Sequence, residues 1–145
     1  MLPAQCSCSP LRRLTRRITV IYDRHLQGDE LTITQYSLLA SLARLGPIAN
    51  IRLAAEMGMD RSTLSRNLKP LIGADWIEMV DMPEDEEMDK RSFGLQLTAA
   101  GRKKWQAAKP NWQRAQDEID RQLGKKMAAD LTALIDNAYL KLQEE

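Results

Sequence analysis

One short stretch of the chain combines small hydroxyl side chains with cations on a single helical face. Ser62, Ser65, Arg66 and Lys69 fall together at 3.6 residues per turn. Such donors fit the acceptors on base edges in a DNA major groove and the phosphates beside it. An ordinary amphipathic surface helix has the same periodicity, so the neighbouring elements must decide between the two interpretations.

The helix predicted for this stretch covers residues 60–72. Asp60 is suited to its N-cap, because a carboxylate can accept from the free backbone N–H groups of the first turn. Pro70 is awkward in a continuous helix, and the pattern leaves open whether it tightens or kinks the last turn. The apolar side chains that share the opposite face are Leu64, Leu68, Leu71 and Ile72.

Two helices are predicted just before this one. Thr34 is expected to cap the first, which carries a leucine stripe and stops at Gly46-Pro47. Asn50 is expected to cap the second, residues 51–57, and Gly58 follows it. Helix, short glycine-containing turn and helix form the helix-turn-helix pattern, in which the second helix reads the DNA.

The periodicity then changes from helical to alternating. Residues 76–81 and 93–97 each contain alternating apolar positions, which predicts a β-hairpin with a long polar tip. A hairpin directly after a helix-turn-helix is typical of a wing, whose tip can place a cation in the adjacent minor groove. Lys90 and Arg91 are the candidates for that contact.

Long amphipathic helices are predicted at both ends of the chain. The first covers residues 10–27, and its five arginines favour a solvated basic face over phosphate contact. Thr98 is expected to cap a helix that either kinks or breaks at Pro110, and Gly124 precedes the last helix. A small winged core does not need these apolar stripes, so we expect them to pair across a two-fold axis.

Composition restricts the function classes. The chain has 145 residues, 43% of them hydrophobic, and a net charge of +1, which corresponds to about one domain. It contains neither an apolar run of membrane-spanning length nor a signal-peptide pattern, so we expect a cytoplasmic location. With one histidine, no Gly-rich phosphate loop and no metal-spaced cluster, we expect no catalytic set, metal or cofactor.

Four short segments follow one another along the chain. They are Asp60-Arg61-Ser62-Thr63-Leu64-Ser65-Arg66, Trp76-Ile77-Glu78, Asp89-Lys90-Arg91 and Leu97-Thr98-Ala99-Ala100-Gly101-Arg102. From about Leu11 onward, the chain resembles the MarR (multiple antibiotic resistance regulator) family. The resemblance implies a mainly α fold with a small β-hairpin, in which a winged helix-turn-helix core is flanked by N- and C-terminal dimerisation helices. It also implies a homodimeric transcription factor, usually a repressor. Such a protein binds pseudo-palindromic double-stranded operator DNA and is released by a small aromatic or phenolic ligand or by thiol oxidation.

Carried over by position, the resemblance treats residues 1–145 as a single domain. It contains a flexible tail at 1–9, dimerisation helices at 10–27 and 99–145, and a DNA-binding lobe at 32–97. The residues assigned to DNA binding are Arg61, Ser62, Thr63, Ser65, Arg66, Asn67, Lys69, Lys90 and Arg91.

Two kinds of trigger are compatible with the residues. The effector pocket that the resemblance implies would be lined by Arg16, Tyr22, His25, Tyr36, Trp105 and Trp112, although aromatic side chains at helical spacing more often belong to a core. Cys6 and Cys8 are the other candidates, because the arginines at 12 and 13 could lower a thiol pKa; the alternative is a pair of inert thiols. Two thiols do not complete a tetrahedral zinc site.

The wing departs from the family pattern in its charge. Residues 84–89 contain five acidic side chains, and residues 76–97 contain seven acidic and two basic ones, a local charge of −5. Like charges beside a polyanion weaken binding. A second hypothesis is therefore a winged-helix protein-interaction module without specific DNA binding.

Overall fold

The structure is a computed structural model that describes residues 6–82 and 91–142. Helices dominate it, and a small sheet lies near the middle of the chain. The elements in chain order are α1 (Cys8–Leu26), a 3-10 helix (Gln27–Asp29), α2 (Ile33–Leu45), β1 (Ile48–Ala49), α3 (Asn50–Met57), α4 (Arg61–Gly73), β2 (Ile77–Val80), β3 (Gly94–Leu97), α5 (Ala99–Leu123) and α6 (Lys125–Lys141). The predicted mainly α fold with a small hairpin is confirmed.

The chain divides into two compact units. We call Leu26–Pro110 the winged unit, and Met1–His25 together with Asn111–Glu145 the terminal unit. The predicted DNA-binding lobe, residues 32–97, falls within the winged unit.

The winged unit has a closed apolar core. Its three-stranded sheet has the order β1-β3-β2 with antiparallel pairs, so the predicted hairpin gains a short strand that the sequence pattern did not indicate. Leucines of α2, α3 and α4 pack against this sheet. The apolar side chains of this unit exposed by 2% or less are Leu26, Leu38, Leu39, Leu42, Leu53, Leu64, Leu68, Leu71, Ile77, Leu95 and Ala108.

Three of the predicted helix starts were wrong. Cys8 opens α1, so residues 8 and 9 belong to the helix and not to the predicted tail. Thr32 caps α2 instead of Thr34, because its hydroxyl accepts from the Gln35 backbone N–H while the Gln35 side chain accepts from the Thr32 backbone. Asn50 lies inside α3, and its side chain bonds to a different segment.

Neither proline inside a helix breaks it. The helix α4 continues through Pro70 to Gly73, and α5 continues through Pro110 to Leu123. Both prolines are exposed, so each ring lies on the solvent side of its helix. Each proline removes one backbone hydrogen bond of its helix and crowds a carbonyl of the preceding turn.

The end of α4, the start of β2 and the start of α5 meet through backbone contacts. Asp75 adopts a left-handed conformation with φ 63°, and the Trp76 N–H donates to the Leu71 carbonyl at 3.0 Å. The Thr98 hydroxyl donates to the Asp75 carbonyl at 2.6 Å and accepts from the Gly101 N–H at 2.9 Å, which confirms Thr98 as a cap. A Cβ on Gly101 would lie 1.9 Å from the Trp76 carbonyl oxygen, so only glycine fits there.

Polar contacts join α1 and α5 in the terminal unit. The Arg24 guanidinium pairs with Glu118 at 2.5 Å, and the Tyr22 hydroxyl donates to the Gln116 side-chain carbonyl. Ala115 and Ile119 are buried on α5, whereas no residue of α6 is buried.

Candidate nucleic-acid interface

Asp60 fixes the first turn of α4. Its Oδ1 accepts from the Thr63 backbone N–H at 2.7 Å and from the Ser62 hydroxyl at 2.9 Å, which confirms the predicted N-cap. These hydrogen bonds, foremost that from the Thr63 backbone, lower the pKa of Asp60 below its usual value. The ionised carboxylate therefore satisfies N–H groups that the helix leaves unpaired.

The two faces of α4 differ as the sequence predicts, except that Ile72, predicted on the apolar face, is 36% exposed near the end of the helix. Leu64, Leu68 and Leu71 are buried at 2% exposure or less. The exposed face carries Ser62, Ser65, Arg66 and Lys69, flanked by the half-buried Arg61 and Thr63. Arg66 Nη2 donates to Thr63 Oγ1 at 3.3 Å. A rigid apolar base thus presents hydroxyls and cations to solvent.

Asn67 differs from the other residues predicted to contact DNA. It is half-buried, and its Nδ2 donates to the Thr63 carbonyl at 2.9 Å while lying 3.9 Å from the Met59 sulfur. The side-chain amide of Asn67 therefore contacts α4 itself and the turn that precedes it. The position of Asn67 three residues after Leu64, beside the apolar stripe, could have indicated this.

The base of the wing is a regular antiparallel hairpin. Ile77 pairs with Leu97 and Val80 with Gly94, which brings the two predicted segments together. Arg91 is exposed and precedes the return strand β3. Lys90 and the acidic residues 84–89 lie outside the described residues.

Asn50 is the residue at this interface that the sequence analysis missed as a wing contact. Its backbone N–H donates to the Phe93 carbonyl at 2.9 Å, and its Oδ1 accepts from the Phe93 N–H at 3.2 Å. The contact joins the helix-turn-helix to the return strand of the wing. Asn50 and Phe93 are 43 residues apart in the chain, so no local sequence pattern could predict their contact.

Comparison with known proteins identifies the family. The MarR family matches at residues 31–86. The M. tuberculosis transcriptional regulator MosR, crystallised with DNA, is 30% identical to the chain; the alignment covers 96% of this chain and all of MosR, with a TM-score of 0.77. The chain belongs to the MarR family. The multiple antibiotic resistance protein MarR of Salmonella typhimurium is 28% identical over 137 residues, 92% of this chain and 90% of that protein.

The fold of the chain is also that of MarR bound to DNA. A mutant of E. coli MarR complexed with operator DNA has a TM-score of 0.77 at 23% identity, over 90% of this chain and 94% of that one. MarR-family members are DNA-binding transcriptional regulators and not enzymes. The predictions of a winged helix and of transcription regulation through DNA are thereby confirmed.

Four residues of the predicted MarR-type effector site lie in the terminal unit: Arg16, Tyr22, His25 and Trp112. Burial, and then the charge of Asp120, raise the pKa of Tyr22. His25 Nε2 lies 3.7 Å from Glu118 Oε1, beyond hydrogen-bond distance, and has no hydrogen-bond partner among the described residues. Arg16 is exposed in a groove of about 840 Å³ lined mainly by α1.

The other two predicted effector residues, Tyr36 and Trp105, lie in the winged unit. Tyr36 is 4% exposed, and burial raises its pKa, an effect that a contact with the Trp105 indole partly offsets. That contact is not a well-aligned hydrogen bond, because Trp105 Nε1 is buried without a partner among the described residues. Lys109 Nζ lies 5.3 Å from the Trp105 ring centroid. Tyr36 is thus a core residue, and a common effector site for all six residues stays a prediction.

Cys6 and Cys8 are both free and exposed. Hydrogen bonds from the backbone of Ser9, and then of Cys8, lower the pKa of the Cys6 thiol. The described part of the chain contains no group of three His, Cys, Asp or Glu side chains that could hold a metal ion. Within residues 6–82 and 91–142, no helix is both long and apolar enough to cross a membrane.

Proposed function

We propose that the protein is a homodimeric repressor that recognises a pseudo-palindromic operator through α4. The observation that carries this proposal is the two-faced geometry of α4, with three leucines buried beneath an exposed face of hydroxyls and cations. Ser65, Arg66 and Lys69 would reach base edges and phosphates, whereas Asn67 would hold the helix against its preceding turn. Such a regulator acts on chromosomal DNA, so we expect it in the cytoplasm.

Substitutions on the exposed face of α4 test this proposal. Arg66→Ala and Ser65→Ala should each weaken operator binding by about 10-fold, the loss expected for one base contact. Binding to competitor DNA should change less. Arg121→Ala, an exposed arginine of α5 in the terminal unit, is the matched control and should leave both affinities unchanged.

Two other results would contradict the assignment. Equal losses on operator and competitor DNA would make Arg66 and Ser65 phosphate anchors only. Binding that shows no dependence on salt concentration would favour the protein-interaction module, because release of counterions from DNA makes true DNA binding salt-sensitive. The DNA upstream of the protein's own gene is the first operator to test.

We further propose that Arg91 of the wing contacts the minor groove. Its exposure just before β3 supports the proposal. Arg91→Ala should weaken binding by about 10-fold at low salt, an effect that added salt should reduce. An unchanged affinity would remove the wing from the interface.

The homodimer is supported by α6. This helix of 17 residues has no buried residue. The side chains of Leu134, Tyr139 and Leu140 are 67%, 67% and 66% exposed. Most helices in proteins owe their stability to the packing of an apolar face. A second copy of the chain would cover this face and supply a second recognition helix, about 34 Å away or a multiple of it.

For release from DNA we propose either thiol chemistry at Cys6 and Cys8 or a small aromatic effector. The lowered pKa of Cys6 and the exposure of both thiols support the first route, because the thiolate is the reactive form. Replacing both cysteines by serine should abolish release by oxidants while leaving release by aromatic acids intact. An unchanged oxidant response would exclude the thiols.

A further inference from the structure

Asn50 occupies the point at which β1 becomes α3. In the β1–β3 ladder, Ile48 pairs with Leu95 and Ala49 with Gly94, so the next antiparallel pair is Asn50 opposite Phe93. Every second pair of an antiparallel ladder exchanges two backbone hydrogen bonds. The first is present, since the Asn50 N–H donates to the Phe93 carbonyl at 2.9 Å.

The second bond of this pair comes from a side chain. The Asn50 carbonyl belongs to the first turn of α3, where it faces the N–H four residues later. It is therefore not available to the Phe93 N–H. Asn50 Oδ1 accepts that N–H at 3.2 Å instead, so the asparagine side chain replaces its own backbone carbonyl and the ladder continues for one more residue.

Asn50 is buried, so its hydrogen bond to Phe93 belongs to the interior of the winged unit. It is 8% exposed, and it is the one buried polar residue in the described part of the chain. A buried polar side chain costs stability unless it is hydrogen-bonded. An apolar side chain of similar size would leave the Phe93 N–H without its acceptor.

Phe93 lies two residues after Arg91 and directly before β3. The Asn50 contact therefore holds the returning arm of the wing against the first helix of the helix-turn-helix. We propose that Asn50 is a positioning residue for the wing, which sets the place of Arg91 against the DNA. This inference rests on the proposed DNA contact of Arg91.

A double-mutant cycle in operator binding tests the inference. Arg91→Ala should weaken binding by about 10-fold, and Asn50→Leu by about 5-fold, because the wing arm is no longer held. With alanine already at position 91, Asn50→Leu should cost less than about 2-fold. The effect of Asn50→Leu should instead add to that of Arg66→Ala, since Arg66 lies on α4 and not on the wing.

Two measurements separate positioning from general loss of structure. The Phe93 amide should exchange with deuterium faster in the Asn50→Leu protein while the amides of α4 keep their protection. Gln96→Leu is the matched control, because it removes an exposed hydrogen bond of the same sheet, from Gln96 to Glu78 at 2.7 Å, without touching Phe93. It should change operator affinity by less than about 2-fold. If Asn50→Leu does not fold, Asn50→Ser, whose hydroxyl is too short to reach Phe93, replaces it.

The outcomes distinguish this inference from the proposed function. A loss with Arg91→Ala that adds fully to that of Asn50→Leu would overturn the positioning role and leave the wing contact intact. No loss with Arg91→Ala would remove both the wing contact and the role of Asn50. Recognition through α4 would then still be judged by Arg66→Ala and Ser65→Ala.

Discussion

The winged unit and the terminal unit differ in how far their large apolar side chains are buried. Every one of the largest fully buried side chains in the described part of the chain lies in the winged unit. In the terminal unit, long apolar side chains are exposed along α1 and α6. They are Leu11, Val20, Met127, Leu134, Ile135, Tyr139 and Leu140, and Leu142 is exposed directly after α6.

This difference assigns a different task to each unit. A closed core holds α4 rigidly, so the winged unit has within itself the packing that a recognition surface needs. An exposed apolar face on a long helix requires a partner, because isolated helices are marginal in water. The winged unit therefore has the packing to present α4 to DNA, and the exposed apolar face of α6 supports the proposed pairing with a second copy.

The largest expected effect comes from charging the exposed face of α6. Met127 and Leu134 are seven residues apart on one side of the helix and are 58% and 67% exposed. Replacing both residues by glutamate (Met127→Glu with Leu134→Glu) should convert the proposed dimer to a monomer. Pairing of the two α6 helices would bury carboxylates that have no positively charged partner. Operator affinity should fall by about 100-fold, since the second recognition helix no longer binds in the same complex. Light scattering and gel-shift titration measure the two effects.

Met79→Glu is the control for this double variant. Met79 is 59% exposed, but it lies on β2 in the winged unit. The dimer should persist in this variant. A dimer that also persists in the double variant would refute the assignment of α6 to the dimer interface.

A smaller effect is expected where α5 meets the start of β2. Gly101→Ala places a methyl group 1.9 Å from the Trp76 carbonyl oxygen, and the backbone must move apart to admit it. We expect the free energy of unfolding to fall by about 2–3 kcal/mol, as in other overpacked sites. Urea unfolding followed by circular dichroism measures this.

Gly73→Ala serves as the control at a second helical glycine of the winged unit. A Cβ there meets nothing within 4 Å, so the substitution should raise stability slightly, by about 0.5 kcal/mol. If the two alanines had equal effects, close packing at Gly101 would not be the cause.

Asp75 tests whether the winged unit carries local strain at the end of α4. Its φ of 63° is a conformation that glycine adopts more easily than a residue with a Cβ. Asp75→Gly should therefore raise the free energy of unfolding by up to about 1 kcal/mol. Thermal unfolding measures the gain, and a loss would mean that the side chain makes a stabilising contact.

Local signals in the sequence were sufficient for much of the winged unit. The caps Asp60 and Thr98 and the leucine face of α4 depend on residues within one or two turns, and each was predicted correctly. The cap of α2 was wrong although its signal was present, since Thr32 and Gln35 have the spacing of a capping box.

Other features depend on contacts between distant segments. β1 has two residues and exists only because β3 pairs with it, so no periodicity could reveal it. The bond from the Phe93 N–H to Asn50 has the same origin. The pattern around Pro70 and Pro110 left helix continuity open, and both helices continue through the proline.

The smallest effect concerns the pH dependence of the α4 cap. Hydrogen bonds to the ionised carboxylate lower the pKa of Asp60 in the folded protein, so its stabilisation is present above the unfolded pKa of about 3.9 and is lost as pH falls through the lower folded value. Asparagine caps a helix without an ionisable group. The melting temperature of the wild type relative to Asp60→Asn should therefore drop by a few degrees between pH 6 and pH 3. All other carboxylates are common to both proteins, so a difference that does not change with pH would contradict a charged cap.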